Sequence, residues 1–398
     1  MTASSRHFVL AAGGTGGHLT PAFALAHELE RRGHHVALIT DERGAAIPGK
    51  PDFLTAHVLP AGRFGKNPLR WPKAIAAVQK GKAMSRRLFE SFGPSAVIGF
   101  GGYPAMPALF GAQAMNIPTV IHEQNAVLGR VNRLMAGRVD AIATAYPEVD
   151  RLKDKHADKV HLVGNPVRPG VLSLREEPFP AFTEDGLFRV LVTGGSQGAR
   201  VLSEVVPDGL SMLPTALRSR LQVTQQCRPE DLEAVRERYA NHGIPAELAT
   251  YFEDMAATLA DAHLFIGRAG ASTIAELTAV GRPAILVPLP IATDDHQAAN
   301  TREIVKAGGA RSIRQTKFEA KELAKQIQAM AQRPDTLATA AHAAWNCGRP
   351  KAASDLADLV EGFGGADMMD VIRVGENNAR GASQGVEAGQ GAARERPE

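Results

Sequence analysis

Two glycine-rich loops, each at the same place in a repeated pattern, hold the residues of this chain best suited to chemistry. The first reads Gly13-Gly-Thr-Gly-Gly-His18 and the second Gly194-Gly-Ser-Gln-Gly-Ala199. Where such a loop opens a helix, backbone N–H groups can approach an anion and the helix dipole favours negative charge there. His18 ends the first loop. A neutral imidazole there could take the proton of an attacking hydroxyl, the work of a general base; a structural histidine is the alternative. Neither loop is followed by the Gly-Lys-Ser/Thr of nucleotide triphosphatases. Asp41 stands where a ribose-binding acid would, but Leu19 occupies the third-glycine position of the dinucleotide fingerprint, which speaks against a nicotinamide dehydrogenase. No Asp-x-Asp pair occurs and the histidines lack ligand spacing; Asp294, Asp295 and His296 read as a solvated loop, with a cation site as the alternative. No metal and no cofactor are expected.

The elements that must position these loops repeat as well. Residues 7–12 form an apolar run before the first loop and 188–193 before the second, each followed by a helical stretch. Strand, glycine loop, helix is how a doubly wound α/β domain opens, so the fold class expected is two Rossmann-like domains facing a cleft. Short apolar runs at 35–40, 96–99, 119–122, 141–144 and 160–163 read as further buried parallel strands. Those at 222–225, 249–252, 264–266, 284–287 and 310–313 read the same way. The expected division is 1–166 and 167–345, with a Pro- and charge-rich linker near 164–186. The helical run 346–361 returns to the first domain, and 362–398 is a disordered tail.

Bulk properties narrow the class. The 398 residues are 44% hydrophobic and 22% charged, enough for a sizeable core and too ordinary for global disorder. A net charge of +3 implies no nucleic-acid partner. Cys227 and Cys347 are far apart without metal spacing, which fits a reducing compartment. No secretory signal is visible at the start. Residues 91–121 lack charge, but Gly99, Gly101, Gly102, Pro104, Pro107 and Pro118 break them into sheet interior rather than a membrane span.

The full wording of the loops resembles the MurG family. Gly13-Gly-Thr-Gly-Gly-His18 with Pro21-Ala22, Gly99-Phe-Gly-Gly-Tyr-Pro104 and His122-Glu-Gln-Asn-Ala126 are similar to the family's first domain. Gly164-Asn-Pro-Val-Arg168, Gly194–Ala199, Arg268-Ala-Gly-Ala271, Glu276 and Asp295-His-Gln297 are similar to its linker and second domain. The order is kept from about Phe8 to Glu361. Gly267 stands where serine is commoner, and Thr301 where alanine is commoner. The resemblance implies the glycosyltransferase-B fold and an inverting transfer of GlcNAc from UDP-GlcNAc. The acceptor would be the 4-hydroxyl of the MurNAc of undecaprenyl-pyrophosphoryl-MurNAc-pentapeptide, turning lipid I into lipid II in peptidoglycan synthesis. A related transferase acting on diacylglycerol is the runner-up.

It also implies roles. His18 is the first choice for the base and Glu123 the reserve. Thr15, Gly16 and Gly17 would meet the donor across the cleft, and Asn125 a sugar hydroxyl or the reacting phosphate. Arg168 and Ser196 would hold the diphosphate, with Ala271, Ser272 and Thr273 at the start of a helix that carries Glu276 to the ribose. Phe252 would lie beside uracil, and Gln297 would read GlcNAc by donating and accepting at once.

A lipid acceptor predicts a membrane face. Arg63, Lys66, Arg70, Lys73, Lys80, Lys82, Arg86 and Arg87 interleave with Leu69, Trp71, Ile75 and Val78, with no acid among them. That composition suits anionic headgroups of the inner membrane, at about 1 kcal/mol per cation near the surface; a solvated basic helix is the alternative. The expectation is a peripheral protein on the cytoplasmic face of the bacterial inner membrane. Its candidate partners are cell-wall synthesis and division proteins.

Overall fold

The computed structural model describes residues 5–60, 62, 69, 71–195 and 198–363. Ser196, the cations Arg63, Lys66 and Arg70, and the tail from 364 lie outside the described residues.

Two parallel sheets organise the chain. The first holds β1 (His7–Ala12), β2 (His35–Thr40), β3 (Thr55–Val58), β4 (Ala96–Gly101), β5 (Thr119–Glu123), β6 (Ala141–Thr144) and β7 (Val160–Leu162), in the order β3-β2-β1-β4-β5-β6-β7. The second holds β8 (Phe188–Thr193), β9 (Leu221–Gln226), β10 (Ala246–Ala249), β11 (Leu264–Gly267), β12 (Ala284–Leu286) and β13 (Ala310–Ser312), in the order β10-β9-β8-β11-β12-β13. Every pairing is parallel, which requires crossovers and buries both faces. The strands accordingly read as apolar runs: β4 is buried at all six positions. In each sheet the order reverses beside the first strand, between β1 and β4 and between β8 and β11. Those reversals are where doubly wound sheets bind ligands, beyond the carboxyl ends. Both glycine loops leave from these points.

Two expectations shift. The run expected at 249–252 pairs earlier, at Ala246–Ala249, where Ala246 lies opposite Val223. β3 gave no signal because Thr-Ala-His-Val is an edge strand with no buried residue.

The last helix, Ala352–Gly362, packs on the helix Gly16–Arg31, placing Leu356, Ala357 and Val360 in one core with Phe8, Leu10 and Leu25. Arg32 seals that contact with Asp358 and Glu361, each at 2.6 Å. The segment before β8 lies on the second sheet. Arg175 donates to the carbonyls of Thr278 (3.2 Å) and Ala279 (2.8 Å) and stacks 3.9 Å over the ring of Trp345.

The helix Trp71–Phe92 corrects one residue of the expected membrane face. Its buried stripe is Ala74, Val78, Gly81, Ser85 and Phe89, spaced by three or four as a helix against a sheet requires. Val78 belongs to that stripe and packs with Val97 and Leu109 in the core. Leu69, Trp71 and Ile75 are exposed, at 87%, 47% and 50%. Lys73, Lys80, Arg86 and Arg87 are exposed with them. Among the described residues, no helix is long and apolar enough to cross a membrane.

Candidate active site

Loops from the carboxyl edge of one sheet meet loops from the carboxyl edge of the other. Asn300, fully buried, accepts from the Ala126 N–H at 2.8 Å and donates to the Asn125 side chain at 3.1 Å and the Ala269 carbonyl at 3.2 Å. Asn125 and Ala126 follow β5; Ala269 follows β11. Ion pairs flank this junction, Arg133 with Asp294 (2.8 Å), Arg302 with Asp150 (2.8 Å) and Arg349 with Glu303 (2.7 Å). Asp294 and Asp295 both take positive φ, 57° and 55°, which turns the chain into the short helix carrying Gln297 and Asn300.

On the first-sheet side, Thr15 caps the helix Gly16–Arg31 with extended backbone, and Gly16, Gly17 and His18 form its first turn. The His18 ring lies between two neighbours. Its Nδ1 is 3.1 Å from Gln124 Oε1. Opposite is Gly101, whose φ of +93° favours glycine and where a Cβ would come within 3.1 Å of His18 Cε1, so a side chain there would crowd the ring. His18 therefore sits where β1, β4 and β5 end together.

Glu123 does not share that position. Its carboxylate accepts four hydrogen bonds, from Asn125 N (3.0 Å), Asn125 Nδ2 (3.2 Å), Gly129 N (2.7 Å) and Asn132 Nδ2 (2.9 Å), and is 2% exposed. It shapes the turn after β5. An enclosed carboxylate with both oxygens occupied has no route to a substrate hydroxyl, which removes it as the reserve base. Asn125 is likewise engaged, to Glu123 and to Asn300, so its amide is held across the junction.

On the second-sheet side, the helix Ala271–Ala279 starts beyond β11 with Gly270 as its cap residue. Its first turn carries Ser272, whose buried Oγ has no partner among the described residues, and Thr273. One turn on, Glu276 meets Arg168 at 2.8 Å. Burial raises the Glu276 pKa, and Arg168 pulls it back. The ribose and phosphate candidates thus hold each other. Gln297 accepts from the Leu289 N–H at 3.0 Å, which orients its amide with the NH₂ and the second lone pair of Oε1 still available. Phe252 is half-buried just after β10.

Two arginines that the sequence does not mark as site residues stand beside these loops. Arg228 follows β9, and its stem packs on Gly198, where a Cβ would come within 2.7 Å of Cγ. Its Nε is buried without a partner among the described residues. Arg268 follows β11, donates to the Val287 carbonyl at 3.0 Å, and has its pKa lowered by burial and by the charge of Arg228. Two cations beside a glycine loop and a helix start are chemically suited to an anion, with Glu230 3.8 Å from Arg228. Arg268 stands in the motif Arg268-Ala-Gly-Ala271, whereas no motif marks Arg228. Among the described residues, no cluster of His, Cys, Asp or Glu could hold a metal ion.

The chain matches two family models, the glycosyltransferase family 28 N-terminal domain over residues 8–144 and the C-terminal domain over 189–360. A curated protein of Erythrobacter litoralis is 81% identical over 398 residues, covering 100% of both chains. It is named a UDP-N-acetylglucosamine–N-acetylmuramyl-(pentapeptide) pyrophosphoryl-undecaprenol N-acetylglucosamine transferase. A protein of the same name from Novosphingobium aromaticivorans is 79% identical over 374 residues, covering 94% of this chain and 96% of that one. The crystal structure of Acinetobacter baumannii MurG superposes with a TM-score of 0.72 at 28% identity, covering 89% of this chain and 99% of that chain. The glycosyltransferase-B fold and these relatives together establish that the chain belongs to the MurG family of glycosyltransferases.

Proposed function

We propose that this chain transfers GlcNAc from UDP-GlcNAc to the MurNAc 4-hydroxyl of lipid I, forming lipid II by inversion at the donor's anomeric carbon. The observation that carries this reading is the pairing of two unlike sites at one junction. A histidine is fixed beyond the first sheet, and a cationic cradle with an orphan hydroxyl lies beyond the second. The full-length identity to transferases of that name supports the choice of substrates.

The chemistry follows from the two sides. As the 4-hydroxyl oxygen attacks the anomeric carbon, its proton passes to His18, and the bond to the diphosphate breaks with the electron pair leaving on UDP. The growing charge falls on the start of the helix Ala271–Ala279, the Ser272 hydroxyl, Ser196, Arg268 and Arg228. Arg168 releases Glu276 to the ribose hydroxyls and turns to phosphate. Gln297 donates to GlcNAc, Phe252 borders uracil, and Thr15, Gly16 and Gly17 close on the donor from the facing loop. The exposed Leu69, Trp71 and Ile75 with Lys73 and its neighbouring cations dock on anionic lipid, bringing the cleft to an acceptor anchored in the cytoplasmic leaflet.

The test is transfer of labelled GlcNAc to a short-chain lipid I analogue, with and without chelator, beside diacylglycerol as rival acceptor. Transfer to the lipid I analogue in both conditions is expected. Transfer to diacylglycerol alone would make the acceptor half of the reading wrong.

A further inference from the structure

The strand-end segment His122-Glu-Gln-Asn125 contains two residues that no role above uses, His122 and Gln124. Gln124 is 1% exposed, and its amide is bonded on every side. Its Nε2 lies 2.9 Å from His122 Nδ1 and 3.0 Å from the His122 carbonyl, and its Oε1 lies 3.1 Å from His18 Nδ1. At the far end, His122 Nε2 is 2.8 Å from the Gly164 carbonyl.

The direction of every bond in this chain can be worked out from its end. A backbone carbonyl only accepts, so His122 Nε2 must carry hydrogen. His122 is fully buried, and burial pushes its pKa down to about 4, so the ring is neutral and Nδ1 holds a lone pair. That lone pair accepts from the Gln124 amide. The second amide hydrogen goes to the His122 carbonyl, another obligate acceptor. Flipping the amide would set its oxygen against that carbonyl, acceptor against acceptor. Oε1 is therefore the atom facing His18, and His18 Nδ1 must donate to it.

We infer that Gln124, oriented by His122 and the Gly164 carbonyl, is a positioning residue that fixes His18 as its Nδ1–H tautomer and leaves Nε2 as the basic nitrogen. The inference rests on the reading of His18 as the base. It adds which nitrogen acts and what sets it. A histidine side chain left to itself favours the other tautomer, with hydrogen on Nε2, so the wrong form would prevail without the relay. Among the described residues, nothing hydrogen-bonds His18 Nε2. Gly164 opens the segment between the two sheets, so the base is referenced to the point where the chain passes from one half to the other.

The test reads the tautomer directly, by long-range proton–nitrogen NMR of the full-length protein labelled at histidine nitrogens. The His18 signals are assigned by their loss in His18→Ala. Wild type is expected to show a protonated Nδ1 and an unprotonated, pyridine-like Nε2. Gln124→Met, which fills the same space without hydrogen bonds, should shift His18 towards the Nε2–H form. It should also lower kcat about 10- to 100-fold, part of the range a general base supplies, with KM for UDP-GlcNAc within about twofold. An Nε2–H tautomer in wild type, or an unchanged Nδ1–H signal in Gln124→Met, overturns the inference. The wild-type spectrum decides even if a variant fails to fold. Full turnover in His18→Ala would instead overturn the base assignment, whichever tautomer the spectrum shows.

Discussion

The two sheet reversals are built alike and finished differently. Beyond β1 and β4 the side chains around His18 and Glu123 are largely partnered, although Asn132 Oδ1 and the Asn165 amide are buried without partners among the described residues. Glu123 takes four N–H donors, and Gln124 spans two histidines. Beyond β8 and β11 the unpartnered atoms are donors aimed at the loop: Ser272 Oγ and Arg228 Nε are buried without partners among the described residues, and the charge of Arg228 bears on Arg268. A site that moves one proton needs a fixed ring and gains from having its hydrogen bonds made beforehand. A site for a diphosphate needs unmatched donors, whose cost in the empty protein is relieved by the ligand. The same strand–loop–helix scaffold serves both because the loops, not the sheets, carry the difference.

Four substitutions break or sharpen this contrast. Glu123→Ala should have the largest effect, since it leaves four enclosed N–H donors unmatched; a loss of about 3–5 kcal/mol in urea unfolding is expected. Wild-type stability with abolished turnover would return Glu123 to a chemical role. Next, Arg228→Met should weaken UDP-GlcNAc binding about 10- to 100-fold by calorimetry, the value of one charge-assisted contact, with little change in unfolding. On the outer helix, Trp71→Glu should weaken binding to anionic liposomes about tenfold and leave donor affinity alone. Val78→Ala, three residues past Ile75, should do the reverse, costing about 1–3 kcal/mol of stability with liposome binding intact.

The smallest effect concerns His122. Its ring titrates near 6.5 when unfolded and near 4 when buried, so between those values the unfolded chain binds more protons. Stability must fall as pH drops through that window. From pH 6.5 to 5.5 the expected loss is about 1 kcal/mol, and His122→Gln should remove that part of the slope.

How much of this the sequence carries depends on how local the cause is. The glycine loops and the buried strands are local, and they place both sheets. β10 begins three residues before the run 249–252 because Ala249-Thr-Tyr-Phe252 is as apolar as Ala246–Ala249, and pairing with β9 decides between them. Val78 and Ile75 look alike in sequence and differ only in helical phase against the sheet. Glu123 reads as a free acid until the turn at 125–132 closes over it. The role of Gln124 depends on a carbonyl 42 residues beyond His122. Arg228 has no motif at all; only the neighbouring positions of β9, β8 and β11 bring it to the glycine loop.

The claim that the first reversal supplies the base and the second the donor site is tested most directly on His18→Ala. Single-turnover transfer to the lipid I analogue should be measured beside calorimetric binding of UDP-GlcNAc. The account predicts a rate lower by about 10²–10⁴ with donor affinity within about twofold of wild type. A donor affinity that falls as far as the rate would place His18 in the donor site, and a rate that holds would leave the reaction without its base.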